Sequence, residues 1–304
     1  VGCALFAAIS GSSAATVATV GKMSIPELRK RKYPEKLLLG SLAGSGTLGL
    51  LIPPSIILII YGVTIEDSIA KLFMAGILPG IMIAFIFMSY VVVWSILNKK
   101  LMPKNLQKFS FSQKIKGSKQ LFPVILLIAS VIGSIYTGIA TATEAASLGV
   151  VGALILSWFQ QTLNKTTFKL SLLGATKTSC MIAFILAGST FLSWAMGFTG
   201  LPRNLAIWIN NMNLSPLMLI FILTIFYIIL GMFLDGISAV VLTMAIIEPM
   251  IRQAGFDMIW FGIYLVIVVE MAQITPPVGF NLFVLQGMAN KDMGFIAKSA
   301  FPLF

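Results

Sequence analysis

Apolar residues run along this chain in long stretches, without the strict alternation of half-buried strands or the polar face of soluble amphipathic helices. Each stretch holds roughly 20 residues or more, the length of helix that crosses the hydrocarbon core of a bilayer. The pattern therefore predicts an all-α polytopic membrane protein. The predicted helical stretches are 1–30, 36–62, 69–97, 121–138, 142–160, 172–197, 215–252, 259–287 and a last one from 293.

Four of these stretches contain a break. Two are broken by adjacent prolines, in "LLIPPSIIL" and "QITPPVGFN", and two by polar runs, "SGSS" at 10–13 and "LDGIS" at 234–238. A proline inside a helix removes a backbone donor and clashes with the preceding turn, at a cost of about 3 kcal/mol. Gly11 permits a tight turn in the first polar run. Because unpaired backbone groups are costly in hydrocarbon, such breaks are tolerated where they are buried in protein or line a cavity.

The breaks are spaced as an internal repeat. An offset of 223 residues separates four pairs of prolines: Pro26 and Pro249, Pro53 and Pro276, Pro54 and Pro277, and Pro79 and Pro302. Four full spans and one segment that returns to its own side lie between the two Pro-Pro helices, so the copies are predicted to face opposite ways. Inverted repeats with interrupted helices in matching positions are typical of transporters that bind substrate near the midplane. Each repeat is predicted to hold a re-entrant helical hairpin and a Pro-Pro-broken transmembrane helix.

The prolines are also predicted to free backbone oxygens. A helical N–H bonds the carbonyl four residues earlier, so the two Pro-Pro pairs deprive four carbonyls of their partners, at Gly49, Leu50, Ala272 and Gln273. Unwound backbone carbonyls in broken membrane helices coordinate Na⁺. We therefore expect the breaks to supply ligands for a hard cation.

Two sites are predicted where the polar runs meet the broken helices. Half-helix N-termini at the same places carry partial positive charge, which suits an anionic substrate. The competing interpretation is that small residues merely allow helices to pack closely, and it applies better to a single serine than to four breaks arranged as two pairs. Site one combines Ser10, Ser13, Gly49, Ile52, Pro53 and Ser55, and site two combines Asp235, Gly236, Ser238, Thr275, Gly279 and Asn281.

Four acidic residues fall in or near predicted membrane segments, where carboxylates are costly and usually functional. Asp235 lies at a predicted hairpin tip and is the first candidate for a functional carboxylate. Glu270 precedes the second Pro-Pro break and is expected to ligate or organise site two. Glu144 is either functional or a helix cap, and Glu248 is expected at the membrane interface.

Composition supports the membrane interpretation. Of the 304 residues, 58% are hydrophobic and 10% are charged, with a mean hydropathy of +0.98, whereas a soluble domain usually has about 25% charged residues. The chain has no histidine and two cysteines, Cys3 and Cys180. Within this sequence, that excludes histidine-ligated metal sites and Ser/His proteolysis, and it argues against a disulfide framework.

The net charge of +11 is a topology signal. Of the 21 Lys and Arg residues, 18 lie in 22–36, 98–120, 161–177 and 288–298, which fall on one side of the membrane if 1–30 and 215–252 each enter and leave by the same face. By the positive-inside rule this side is cytoplasmic, so nucleic acid is not an expected partner. The Lys-rich connector is predicted to lie on membrane lipid as an amphipathic arm, with a solvated loop as the alternative.

The predicted organisation follows from these segments, and the chain is expected to be a piece of a longer protein, because it begins inside an apolar run. Repeat 1 of a transport domain occupies 1–62 and repeat 2 occupies 201–287. The remaining parts are a scaffold span at 63–98, the cytoplasmic amphipathic connector at 99–120, further transmembrane spans at 121–200, and the start of a last scaffold span at 288–304.

Six segments resemble the large membrane (M) subunit of tripartite ATP-independent periplasmic (TRAP) transporters. They occur in the family's order between Ala7 and Gly287: "AAISGSSAATVATVG", "GSLAGSGTLGLLIPPSIILIIYG", "KLFMAGILPG", "GIATATEAASLG", "FLDGISAVVLT" and "ITPPVGFNLFVLQG". The family usually has proline at the position of Ala142. This departure concerns only the start of one helix.

The resemblance implies an elevator-type, Na⁺-coupled importer of small organic anions, such as C4-dicarboxylates or sialic acid, in the bacterial inner membrane. It implies two partners, a small membrane (Q) subunit and a periplasmic substrate-binding protein, and no enzymatic activity. It places two or more Na⁺ sites at the hairpin tips and helix breaks, among Ser10, Ser13, Gly49, Ile52, Pro53, Gly236, Thr275 and Gly279. It places substrate between them, near Ser12, Ser55, Asp235, Ser238 and Asn281.

Three rival interpretations remain at this point. One is a purely structural subunit, which would leave the internal repeat unexplained. A single-component dicarboxylate-type carrier of similar architecture would need no binding protein. An intramembrane aspartyl protease would use Asp235, but such enzymes need a second aspartate, commonly in a Gly-x-Gly-Asp setting, and the residues before Asp235 are "GMFL".

Overall fold

The computed structural model describes residues 2–103, 121–200, 204, 207 and 214–304, except for the side chain of residue 193. In this part of the chain the regular structure is helical and includes no strand. Four helices are long and apolar enough to cross a membrane, at Ile69–Leu97, Ala142–Phe159, Lys165–Thr199 and Gly236–Gln253. Glu35–Leu51 with Ile56–Thr64 makes a fifth if this pair, bent by 41°, is one span. The protein is a multi-pass membrane protein, as the apolar pattern predicts.

Fourteen α-helices are present in the described residues. In chain order they are α1 Gly2–Ser10, α2 Ser13–Lys30, α3 Glu35–Gly46, α4 Leu48–Leu51, α5 Ile56–Thr64, α6 Ile69–Leu97, α7 Phe122–Tyr136, α8 Ala142–Phe159, α9 Lys165–Thr199, α10 Pro216–Gly231, α11 Gly236–Gln253, α12 Met258–Ala272, α13 Phe280–Ala289 and α14 Met293–Ala300. Short 3₁₀ turns follow α6 and α14, at Lys99–Leu101 and Phe301–Leu303. All four predicted breaks are confirmed as gaps between consecutive helices.

The predicted start of one helix was wrong. The sequence predicts a span from 172 after a basic loop, but α9 begins at Lys165 and carries Lys169 and Lys177 on its first turns. The reason is local: Asn164 Oδ1 accepts the backbone N–H of Thr167 at 2.8 Å, which satisfies a free donor at the helix start. The helix therefore begins in polar sequence that hydropathy alone assigns to a loop.

The described residues of Val1–Lys104 and Ser193–Phe304 form one compact unit. Its core joins helices from both ends of the sequence: α2 packs against α13, α3 against α14, α11 against α5, and α12 against α6. Close backbone approach is part of this packing. A Cβ on Gly40 would clash with the Ser299 carbonyl oxygen, so α3 and α14 touch through that glycine. One cluster of the apolar core consists of Cys3, Val17, Val20, Ile25, Leu38, Leu39, Leu42, Ala43, Ile274, Leu282, Leu285, Ala289, Ile296, Ala297 and Ala300.

The described residues of Asn105–Leu192 form a second compact unit. Within it, α7 packs against α8, and the turn between them contains Gly138 at φ +72°. Thr141 and Glu144 form a capping box at the start of α8, the arrangement in which side chain and backbone satisfy each other's free donors. Glu144 is therefore a helix cap, one of the two roles that the sequence leaves open, and Ala142 occupies the first helical position.

Some of the residues that mark the predicted domain boundaries lie outside the described part of the chain. Residues 104–120 of the connector and most of 201–213 lie outside the described residues, so the predicted lipid-facing arm is not addressed. Both predicted transport-domain repeats, at 1–62 and 201–287, fall in the first compact unit where they are described, as does α6.

Candidate functional site

The first Pro-Pro break separates two helical halves by four residues. After α4 the chain is extended at Ile52 (φ −76°, ψ 121°), the Pro53–Pro54 peptide bond is cis, and α5 begins after Ser55. Ser55 is fully buried, and its hydroxyl accepts from the Leu58 N–H and donates to the Leu50 carbonyl. The prediction that Leu50 loses its partner is thus wrong, because a side chain replaces the missing amide. Among the described residues, no donor reaches the Gly49 carbonyl.

The first polar run forms a tight turn between α1 and α2. Gly11 adopts φ +58°, a left-handed conformation that glycine enters readily, which confirms the predicted turn. Ser12 caps α2, its hydroxyl accepting from the Ala15 N–H at 3.4 Å. The Ser10 hydroxyl lies 2.7 Å from Thr16 Oγ1 and donates to the Ser12 carbonyl at 3.2 Å. This turn, residues 10–13, is the first tip.

The first tip lies directly against the first break. The Ile56 N–H donates to the Gly11 carbonyl at 3.3 Å. A Cβ on Gly49 would lie 2.6 Å from the Ser12 carbonyl oxygen and 2.7 Å from the Ser13 nitrogen. The structure therefore brings together Ser13 and Gly49, two residues of predicted site one, and places Ser12, a predicted substrate contact, beside them.

The second Pro-Pro break is organised differently from its prediction. Pro276–Pro277 is also cis, but the two carbonyls predicted to be free are both satisfied. The Thr275 N–H donates to the Ala272 carbonyl at 3.0 Å, and the Asn281 N–H donates to the Gln273 carbonyl at 3.2 Å. The prediction was wrong for two reasons. The helix end tightens into a turn in which the Thr275 amide, just before the prolines, reaches Ala272. After the prolines the chain turns back, where Gly279 has φ +48°, and brings the Asn281 amide to Gln273.

The second polar run forms a second tip, residues 232–238, which also contacts its break. The Gly279 N–H donates to the Met232 carbonyl at 3.3 Å. Asp235 caps α11: Oδ2 accepts from the Ile237 and Ser238 N–H groups at 3.1 and 3.3 Å, and Oδ1 accepts from the Ser238 hydroxyl at 2.5 Å. Both carboxylate oxygens of Asp235, the first candidate for a functional carboxylate, thus accept hydrogen bonds within the tip.

The remaining predicted residues surround these two tips. Pro53 is buried, and its ring approaches α6 at Gly76, where a Cβ would lie 3.5 Å from Pro53 Cγ. The Thr275 hydroxyl donates back along its helix to the Met271 carbonyl at 2.9 Å. Asn281 is fully buried, and neither atom of its side-chain amide has a hydrogen-bond partner in the described residues.

The Gln273 side chain is the site residue that the sequence analysis missed. It is 2% exposed, and Oε1 accepts from the Ser13 hydroxyl at 3.0 Å, so it joins the first tip to the second break. Its Nε2 would lie 2.8 Å from a Cβ on Gly236, at the second tip. The available signal was a lone glutamine in an apolar helix, three residues before a Pro-Pro pair.

Glu270, which was expected to ligate or organise site two, lies near Ser13 of the first tip. It is 4% exposed and has no hydrogen-bond partner among the described residues. The Ser13 hydroxyl donates to Gln273 instead, and Glu270 lines a cavity together with Thr47 at the junction of α3 and α4. Glu248 forms an ion pair with Arg252 at 2.8 Å near the end of α11.

Several membrane-length helices, together with breaks that gather polar groups in the interior, define a multi-pass membrane transport protein. Comparison with protein families agrees, because the model of the "Tripartite ATP-independent periplasmic transporter, DctM component" matches residues 1–304. The chain belongs to this family, whose members are transporter permease components and not enzymes.

Individual relatives come from several bacteria. The chain is 33% identical over 301 residues to the C4-dicarboxylate TRAP transporter large permease protein DctM of Pseudomonas aeruginosa, covering 99% of this chain and 70% of that protein. It is 33% identical over 308 residues to the isethionate TRAP transporter permease protein DctMQ of Oleidesulfovibrio alaskensis, covering 99% and 47%. It is 30% identical over 302 residues to the sialic acid TRAP transporter large permease protein SiaM of Vibrio cholerae, covering 98% and 70%.

Proposed function

We propose that this chain carries out Na⁺-coupled import of a small organic anion as the large membrane subunit of a TRAP transporter. One observation carries the coupling: the Gly49 carbonyl has no donor among the described residues and belongs to a helix in backbone contact with the first tip. Backbone carbonyls and hydroxyls are hard oxygen ligands, and broken membrane helices use them for Na⁺. Family membership supports transport and does not favour the single-component carrier.

The two halves of the transport domain are proposed to be inverted repeats, each with a re-entrant hairpin. The offset of 223 supports this: α2 begins at 13 and α11 at 236, and both contain 18 residues. The Ile56 and Gly279 amides, also 223 apart, each donate to a tip carbonyl. The packing is reciprocal as well, since the second arm of each hairpin, α2 or α11, packs on the second half of the other broken helix, α13 or α5.

Two Na⁺ sites are proposed at the tips. The first uses the hydroxyls of the first tip and the oxygens of the first break, and the hard oxygen donors present there fit Na⁺. The second uses the second tip and the turn after the second Pro-Pro pair. The proposed ligands remain Ser10, Ser13, Gly49, Ile52 and Pro53 at the first site, and Gly236, Thr275 and Gly279 at the second.

Substrate is proposed to bind between the tips. Two helices, α2 and α11, begin there, and helix N-termini favour anions. The buried Asn281 amide offers donors that nothing in the described residues uses. The named substrates of the relatives, C4-dicarboxylate, isethionate and sialic acid, all carry a carboxylate or sulfonate group. The proposed contacts are Ser12, Ser55, Asp235, Ser238 and Asn281, with Asp235 holding the tip in shape through its capping bonds.

The working complex is proposed to include a small membrane subunit and a periplasmic binding protein that delivers substrate, in the bacterial inner membrane. One relative's name, DctMQ, joins the letters of both membrane components. Transport is proposed to follow an elevator mechanism, in which the hairpins and broken helices move as one body against scaffold spans. The intimate packing of the tips on the breaks supports such a rigid body.

Uptake into proteoliposomes tests this proposal. The complex containing the full large subunit is reconstituted, and uptake of radiolabelled succinate and sialic acid is compared under inward Na⁺ and K⁺ gradients, each with and without cognate binding protein. Uptake that requires both Na⁺ and binding protein is expected. Uptake with Na⁺ alone would support the single-component carrier, and uptake indifferent to Na⁺ would contradict the role of the Gly49 carbonyl.

A pair of serine variants tests whether Na⁺ binds at the first proposed site. Ser13→Ala removes a proposed ligand, so the Na⁺ concentration for half-maximal uptake is expected to rise about tenfold, equivalent to about 1.4 kcal/mol. Ser41→Ala is the matched control, because that hydroxyl only donates to the Leu38 carbonyl of its own helix, at 3.1 Å. Equal Na⁺ dependence in the two variants would remove Ser13 from the first site.

A further inference from the structure

A small cavity of about 40 Å³ lies between α3, α4, α6 and α12. Apolar side chains make most of its wall, with Leu48 and Leu51 on one side and Ile83 and Phe87 on another. Only two of its lining residues are polar, Thr47 and Glu270. A space of this size accommodates a single small ion or a water molecule.

Glu270 lines this cavity, and its carboxylate has no hydrogen-bond partner in the described part of the protein. The residue is 4% exposed, and both of its carboxylate oxygens are buried with no hydrogen-bond partner among the described residues. The nearby Ser13 hydroxyl donates instead to Gln273 Oε1 at 3.0 Å. Buried charges in proteins are normally paired or bound to a metal, so the carboxylate lacks the compensation that its position demands.

Thr47 adds a second oxygen. It is 7% exposed and its hydroxyl donates to the Gly44 carbonyl at 2.6 Å, which leaves the lone pairs of Oγ1 available to a ligand. The residue forms the junction between α3 and α4. Two residues on different elements, each with hard oxygen atoms in its side chain, therefore line one cavity.

We propose that this cavity is a further cation-binding site, with Glu270 as its charged ligand and Thr47 as a neutral one. The inference rests on the proposed function in one respect, that the complex is Na⁺-coupled. A monovalent ion matches the cavity, because a single carboxylate neutralises one positive charge and no other charged side chain lines the wall in the described structure. Hard oxygen donors select alkali and alkaline-earth ions over softer metals.

The site differs from the two proposed tip sites in its composition. Those sites consist of neutral oxygens from tips and breaks, whereas this one contains a carboxylate. It lies beside the first of them, since Glu270 lies near Ser13 and the cavity wall includes Leu48 and Leu51, which flank Gly49 and Leu50. A cation held by Glu270 would neutralise the carboxylate next to the first tip.

Direct binding of ²²Na⁺ tests the proposal on the purified, detergent-solubilised complex. Glu270→Gln keeps the shape of the side chain and removes its charge, so saturating ²²Na⁺ is expected to fall by about one ion per complex, as loss of the only charged ligand requires. Glu248→Gln is the matched control, an identical change at a residue ion-paired with Arg252, and it is expected to bind as many ions as the wild type. Equal ²²Na⁺ stoichiometry and affinity in Glu270→Gln and wild type would overturn the site.

Thr47→Val decides the matter if Glu270→Gln is not recovered as a folded complex. This nearly isosteric change removes the neutral ligand alone and is expected to weaken ²²Na⁺ binding severalfold at one site; unchanged binding would overturn the proposal. The proposed function fails separately. A wild-type complex that binds ²²Na⁺ and imports substrate, with both variants unchanged, refutes only this site, whereas a wild-type complex that binds no ²²Na⁺ refutes Na⁺ coupling itself.

Discussion

Single polar residues at the tips and breaks form hydrogen bonds with the local backbone, in addition to their proposed roles as ligands. Ser12, Ser55 and Asp235 each cap the helix that follows them. Capping satisfies the free N–H groups of a helix start. In the hydrocarbon core of a membrane no water is present to form hydrogen bonds with those groups. The residues proposed to contact the substrate therefore also satisfy the backbone at the starts of these three helices.

Asp235 allows its capping role to be separated from its charge. Asp235→Ala is expected to lower the free energy of unfolding by about 1 kcal/mol, whereas Asp235→Asn is expected to change it little, because Asn caps helices as well as Asp does. Thermal unfolding of the purified complex measures both. Equal destabilisation by the two variants would contradict the capping role, and loss of uptake in Asp235→Asn at unchanged stability would assign the charge to transport.

Individual side-chain contacts are also the features that are hardest to predict from the sequence. The polar runs and prolines could be found by inspection, because they interrupt apolar stretches. The Ser13–Gln273 bond could not, because it joins residues 260 positions apart whose proximity depends on how α2 packs against α13. Which ligands of the predicted sites act together stays a prediction.

Among the elements, the two Pro-Pro breaks differ in which donors satisfy their backbone carbonyls, and the positions of the prolines do not predict this difference. Each break lacks two N–H groups, but three of the four carbonyls concerned gain another donor: the Ser55 hydroxyl donates to Leu50, the Thr275 amide just before the second pair donates to Ala272, and the Asn281 amide beyond that pair donates to Gln273. Helix bounds, by contrast, follow hydropathy closely, as with α6 at the predicted 69–97. The exception is α9, whose polar first turns are held by the Asn164 cap rather than by apolar burial.

The contact of α4 with the first tip depends on Gly49. Gly49→Ala places a methyl group 2.6 Å from the Ser12 carbonyl oxygen, and backbone atoms cannot rotate away as a side chain can. Such overpacking typically costs about 1–3 kcal/mol, so we expect α4 to shift from the tip and Na⁺-driven uptake to be lost.

Gly287→Ala is the control for this change. Gly287 lies in α13 with nothing within 4 Å of an added Cβ, and alanine favours a helix interior by up to about 1 kcal/mol. Uptake and thermal stability should be retained. Normal uptake by Gly49→Ala would show that the tip and break do not need their close approach.

At the scale of the whole molecule, the first compact unit joins the two ends of the sequence. Arg29, near the end of α2, forms a two-pronged ion pair with Glu35 of α3, at 2.7 and 3.1 Å. The same guanidinium donates at 2.6 Å to the carbonyl of Ala289, the last residue of α13. A cation there favours a helix C-terminus, so one side chain fastens three elements.

Removal of this fastening should loosen the unit. Arg29→Ala is expected to lower the free energy of unfolding by about 1–2 kcal/mol, since Arg29 is partly exposed but makes charged hydrogen bonds to two partners. Arg31→Ala, which breaks an exposed i,i+4 pair with Glu27, should cost less than about 0.5 kcal/mol. Thermal unfolding of the two variants compares them, and equal losses would mean that the Ala289 contact contributes nothing.

The hydrogen bond from Ser13 to Gln273 has a thermodynamic consequence for the molecule as a whole. Because Gln273 also borders Gly236, one amide is held between the first tip and the second. A ligand that binds at Ser13 is therefore expected to change the orientation of the Gln273 amide beside the other tip. Binding linkage is reciprocal, so the factor by which one ligand changes the affinity for the other is the same in both directions. We therefore expect the two proposed tip sites, which are far apart in the sequence, to bind their ligands cooperatively.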